Sequence, residues 1–147
     1  MRCTLALALL AAPAFVSATL KPALTNTKGM RPGNNNCKVI EVSKAIQAAE
    51  CSHNTRTDLP QTYAVFVTDH KYDGNYGYPY GTCYAYTCNG PSKNDLVVDD
   101  DCWTFFWSKN GTDKGVGTGP IRSSITGEAG CERSIDGKFF VGRNDCV

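Results

Sequence analysis

The sequence predicts an α+β domain, with one N-terminal amphipathic helix packed on an antiparallel β-sheet and stapled by disulfides. Three observations carry that reading. Only Ile40 to Cys51 has apolar residues at helical spacing. After Pro60 the chain alternates in short β-branched and aromatic runs, and eight cysteines sit in 147 residues. A helix followed by strands that pair with their sequence neighbours is the α+β pattern. A chain of this length forms one domain, and its modest core gains from covalent bridges.

Residues 1 to 18 read as a signal peptide. Arg2 supplies the positive start, LALALLAAPAFV a short apolar run, and Val16-Ser17-Ala18 the small residues for cleavage after Ala18. The run falls short of the ~20 apolar residues that span a bilayer. A secreted, extracellular protein with no membrane partner is expected. Residues 19 to 36, TLKPALTNTKGMRPGNNN, are rich in Pro, Gly, Asn and Thr without apolar periodicity. They read as a flexible leader or removable pro-segment, with the folded domain occupying 37–147 and order beginning at Cys37.

Within Ile40–Cys51, Val42, Ala45, Ile46 and Ala49 recur at i, i+3, i+4 and i+7, one face of a helix. SHNTRTDLP then breaks it, ending in Pro60. TYAVFV, TCYAYTC and CWTFFWS read as strands, with the tyrosine- and glycine-rich loop KYDGNYGYPYG between the first two. Asn110-Gly111 is a turn signal. GPIRSSITG, CERSI and KFFVG add short strands, and Asp136-Gly137 predicts a hairpin turn between the last two.

Eight cysteines less Cys3, lost with the signal, leave seven: Cys37, Cys51, Cys83, Cys88, Cys102, Cys131 and Cys146. In an oxidising compartment these form a disulfide framework, and the odd one is buried, bonded to a second copy, or explained by processing. Neither a CxxC pair nor a Cys/His pair at zinc spacing is present, so no metal or cofactor is expected. Loss of Arg2 takes Lys and Arg from 15 to 14, equal to the 14 acidic residues. Such balance argues against gripping DNA or an anionic membrane by bulk charge, although a local patch stays open.

VSKAIQAAEC followed by LPQTY, CWTFFWSKNG, GTGPIRSSI and the closing FFVGRNDC together resemble the small secreted guanyl-specific ribonucleases of fungi. They resemble more closely the degenerate ribonuclease-like effectors of plant-pathogenic fungi. The likeness spans residues 37 to 146 and implies a microbial-ribonuclease-like fold. It also implies the bridges Cys37–Cys146 and Cys51–Cys131, with Cys102 then left to pair with Cys83 or Cys88. Those last two, read on one strand, face opposite sides and do not pair together.

The resemblance further implies a cleavage in which a base activates the ribose 2′-hydroxyl, an acid protonates the leaving oxygen, and donors hold the phosphoryl charge. The family's catalytic His falls on Gln61, its Glu near Thr104, and its second His on a loop shortened to IDGK. Neither Gln nor Thr titrates near neutrality. Arg122 stays in register with the phosphate arginine, and Tyr63 is its candidate companion. Of the two histidines, His53 reads as exposed in the helix breaker. His70 could join Glu128 or Glu132 as a relocated acid–base pair.

Tyr72, Tyr76, Tyr78, Tyr80, Tyr84 and Tyr86, with Trp103 and Trp107, are the most unusual enrichment. Those on strands are core or cross-strand pairs. On the loop, Tyr76, Tyr78 and Tyr80 are binding candidates, because glycine-spaced tyrosines give rigid amphipathic contact and stack single-stranded bases. Asp99 to Asp101 read as a solvated turn, lacking the spaced ligands of a calcium loop. Asn110-Gly111-Thr112 is a glycosylation sequon.

These readings favour a secreted effector that has lost catalysis and binds a host protein or RNA, delivery into host cells included. Two alternatives stand beside it. One is an active endoribonuclease with relocated acid and base. The other is a disulfide scaffold unrelated to ribonucleases, of antimicrobial or wall-associated type, which a disulfide map lacking the long-range bridges would favour.

Overall fold

The computed structural model describes residues 27–57, 61–106, 121–133, 136 and 138–143. The expected signal peptide, Asn110, Trp107 and Cys146 lie outside the described residues. The elements are β1 (Lys28–Pro32), β2 (Glu41–Gln47), α1 (Ala48–Thr57), β3 (Tyr63–Thr68), β4 (Tyr80–Tyr86), β5 (Leu96–Phe106), β6 (Ile121–Arg122), β7 (Ala129–Arg133) and β8 (Lys138–Val141). Single 3₁₀ turns cover His70–Tyr72 and Lys93–Asp95. Five strands form an antiparallel sheet in the order β1-β5-β3-β4-β2, and a smaller one runs β6-β7-β8.

This corrects the predicted fold class. The protein is mostly antiparallel β, and its α-helix is neither N-terminal nor where it was expected. Glu41–Gln47, the first half of the predicted helix, is a strand on β4, in register from Glu41↔Ala85 to Gln47↔Tyr80. A bulge falls between Lys44 and Ile46, where Ala45 has φ 57. That extra residue breaks the two-residue alternation, so the strand imitates helical spacing. The helix then occupies most of the supposed breaker. It buries Ala48, Cys51, Ser52 and Thr55, one face at i, i+3, i+4 and i+7. The Thr55 hydroxyl is satisfied by donating to the Cys51 carbonyl, 2.5 Å away. Glu50 reaches back to accept from the Gln47 N–H at 3.3 Å, half of a capping box.

The leader is also not wholly irregular. Lys28–Pro32 pairs with β5 from Lys28↔Trp103 to Pro32↔Leu96. Two threonines pin it: Thr27 donates to the Thr104 carbonyl, and Thr104 Oγ1 donates to the Met30 carbonyl at 2.8 Å. Pro32 lacks an N–H and sits at the end of an edge strand, where the missing donor costs nothing. Asp99–Asp101 are not a turn but the exposed middle of β5.

Strands form in TYAVFV, TCYAYTC, CWTFFWS, CERSI and KFFVG as expected, with β7 and β8 antiparallel, but of GPIRSSITG only Ile121–Arg122 is a strand and the segment 123–128 turns back on itself. β3 is central and buried on both faces. Ala64 and Phe66 pack with Cys83, Trp103, Phe105 and the helix residues Ala48 and Cys51. On the opposite face Tyr63 and Val65 pack with Tyr86 and Phe106, covered by Cys37 and Val39.

The bridges differ from those the resemblance implied. Cys37 bonds Cys88, and Cys51 bonds Cys83. Cys131 is also in a disulfide. Cys102, expected to pair with Cys83 or Cys88, is a free buried thiol that burial and Asp99 push up to about 11. At 5% exposure Cys102 does not present its sulfur to a second copy.

Candidate functional site

The loop between β3 and β4 is built by hydrogen bonds that its sequence dictates. Asp69 caps the 3₁₀ turn by accepting from the Lys71 N–H at 3.2 Å and pairs with the Lys71 ammonium at 2.6 Å. The Asn75 N–H donates to the Tyr72 carbonyl and the Tyr78 N–H to the Asn75 carbonyl. The Tyr80 hydroxyl donates to the Tyr76 carbonyl at 2.8 Å, closing the loop on itself. Gly77 has φ 83, and a Cβ there would meet the Gln47 side chain at 2.5 Å, so only glycine fits.

This frame holds two aromatic rings in solvent. Tyr76 is 60% exposed and Tyr78 49%, whereas Tyr80 is buried against Tyr72. Of the three tyrosines predicted to bind, Tyr76 and Tyr78 are therefore presented and Tyr80 is their support.

Beside the loop lies an open cleft of about 60 Å³, lined by Lys28, Thr68, His70, Tyr78, Asp100, Asp101 and Trp103. The Lys28 ammonium sits 5.3 Å from the Trp103 ring centroid. The His70 ring nitrogens lie 2.8 Å from Asp101 and 3.0 Å from Asp73, tying the loop to β5. Hydrogen bonding to Asp101 first, then Asp73, raises the His70 pKa, so the imidazolium is favoured. His70 is thus a loop anchor between two carboxylates. The predicted pairing of His70 with Glu128 or Glu132 does not form: Glu128 instead accepts from the Thr126 hydroxyl at 2.9 Å.

Glu132 lies at the junction of the two sheets, facing Glu50. Burial, then the charge of Glu132, pushes the Glu50 carboxyl up to about 7. Burial likewise raises Glu132, and Tyr80 is raised by burial and by both carboxylates. The same junction is bridged by Gln47, whose amide accepts from the Arg122 N–H at 2.9 Å and donates to the Arg122 carbonyl at 2.6 Å. That buried amide does what a neighbouring strand's peptide would do.

The phosphate pair Arg122 and Tyr63 is not assembled. The Arg122 guanidinium donates to the Gly127 carbonyl at 2.9 Å on the second sheet. Tyr63 is buried, stacked 4.6 Å from Tyr86 and donating to Asn35, with burial pushing its hydroxyl up to about 12. Gln61 and Thr104 are buried as well, so neither position opens on a cleft. His53, expected in an exposed breaker, is half-buried on α1.

No family model matches this chain, and no characterised protein or solved structure is detectably similar to it. The site therefore rests on its own geometry. Lys28, Asp73, Asp101 and Glu50 escaped sequence reasoning because their partners are remote or they sit in segments read as leader, turn or polar face. Among the described residues no group of three acidic, His or Cys side chains could hold a metal, and no helix is long and apolar enough to cross a membrane.

Proposed function

We propose that the protein is a secreted binding protein without catalytic machinery, and that its tyrosine loop with the adjoining acidic strand contacts a protein partner carrying basic side chains. The observation behind this is the exposed Tyr78 beside Asp100 and Asp101 in one cleft, with exposed Tyr76 on the same loop, which His70 fixes. Preorganised exposed tyrosines give contact area at low entropic cost. The neighbouring carboxylates repel phosphate, which favours a protein over RNA. Disulfides and the apolar N-terminal run agree with an extracellular setting. The effector role rested on likeness to ribonuclease-like proteins, and the bridges Cys37–Cys88 and Cys51–Cys83 are what the unrelated-scaffold reading expects instead.

The test uses the purified, oxidised protein with a fluorescent oligolysine peptide and with RNA. Binding of the peptide, weakened about tenfold by Tyr78→Ala with Asp100→Asn, is the expected result. Unchanged binding by that variant overturns the loop assignment. RNA cleavage lost on His70→Ala overturns the non-catalytic reading.

A further inference from the structure

The β7–β8 hairpin carries a second surface of opposite sign. Cys131 pairs with Phe140 and Arg133 with Lys138, so Arg133, Lys138 and Phe140 share one face. Gly142, at φ 72 and donating to the Ala129 carbonyl at 2.9 Å, turns the chain so that Arg143 comes back over the same ring. The three cationic groups lie 5.4, 5.3 and 4.8 Å from the Phe140 centroid. They therefore sit within about a Debye length of one another and act on a ligand as one field.

We propose that this face binds an acidic polysaccharide through Arg133, Lys138 and Arg143 around Phe140. Gathering three like charges costs repulsion, which the ring offsets by about 0.5–1 kcal/mol per cation at an exposed site. Asp136 pairs with Arg133, whose Nε donates to it at 2.9 Å, and its charge also acts on Lys138. Among the described residues Lys138 and Arg143 form no ion pair with a carboxylate, and both are exposed. An external anion can meet both of these exposed cations at once. Single-stranded nucleic acid sites add bare aromatic faces for base stacking, but here cations crowd the ring. Carboxylates or sulfates on a sugar chain need only the donors that remain, and the Arg143 guanidinium can meet either oxyanion two-pronged.

The test titrates the oxidised protein with polygalacturonate, dextran sulfate and poly(U) at several salt concentrations. Either polysaccharide should bind more tightly than poly(U), and which binds better distinguishes carboxylate from sulfate as the recognised group. Lys138→Gln with Arg143→Gln should weaken that binding about tenfold or more and lower the salt slope by about two, one for each charge removed. The Tm should stay unchanged, because both side chains are exposed. Lys71→Gln, a cation on the tyrosine loop, should bind as the parent does. The proposal fails if neither polysaccharide binds at low salt, if the double variant binds as well as the parent, or if poly(U) binds most tightly.

Discussion

Glu50 is the residue whose environment departs most from what the sequence suggests. It lies in a segment read as helix, yet its carboxyl is half-buried at a sheet junction opposite another acid. Its folded pKa, about 7, exceeds the unfolded value, so the fold prefers the protonated form. Its stabilising contribution is complete below the unfolded pKa of ~4.3 and is lost as pH rises through about 7. Glu132 adds in the same direction. Glu50→Gln keeps an acceptor for the Gln47 N–H and removes the charge. Chemical unfolding should find the variant roughly 1–3 kcal/mol more stable than the parent at pH 8 and nearly equal at pH 4. At this scale the exposure of Tyr76 and Tyr78 was legible from the glycine-spaced tyrosines, whereas His70, read as an acid–base candidate, is a loop anchor. Their partners were not, because Asp101 and Lys28 come from a distant strand and a segment without apolar period.

At the scale of elements, the GPIRSSITG segment turns after Arg122, whereas β3, β4, β5, β7 and β8 were legible because their β-branched and aromatic runs are bounded by turn residues. β2 was not, since the Ala45 bulge shifts its register. The helix went unread because its buried face is Ala, Cys, Ser and Thr, small residues that let it lie close to the sheet without a hydropathy signal. β1 is held by threonine hydroxyls and main-chain pairing, which carry no hydropathy pattern at all. The bridges also differ by location. Cys51 and Cys83 are in the core, 0% and 2% exposed, whereas Cys88 is exposed and Cys37 half-buried. Thiolate access controls exchange. Stepwise reduction followed by alkylation and peptide mapping should label Cys37 and Cys88 first, with Cys51–Cys83 persisting until the fold opens. On the chain-entropy model each loop, spanning 32 or 51 residues, contributes about 4 kcal/mol.

For the whole molecule, the Gln47 amide is a direct hydrogen-bonded link between the two sheets. Gln47→Ala leaves the Arg122 N–H and carbonyl without that partner, at roughly 1–3 kcal/mol each. The Tyr76 ring, against which a Cβ at Gly127 would lie 2.8 Å away, is a further contact between loop and second sheet. Calorimetry should therefore show one transition for the parent and a separate, earlier one for β6–β8 in the variant. The near-zero net charge hides a division that only folding creates. Acidic β5 and the tyrosine loop carry one sign, and the β7–β8 hairpin the other. Composition reports the balance, and three-dimensional placement decides which partner each end can meet.

Cys102 gives the molecule an internal clock. Its thiol is 5% exposed and lies on β5, the strand between β1 and β3. Cys102 also lines the cleft beside the tyrosine loop, and so buried a sulfur meets a small alkylating reagent chiefly during excursions that loosen β5. The rate at which that single sulfur is captured thus counts how often the sheet breathes, and comparing it with and without a ligand on the tyrosine loop would tell whether docking quiets the β5 side of the molecule.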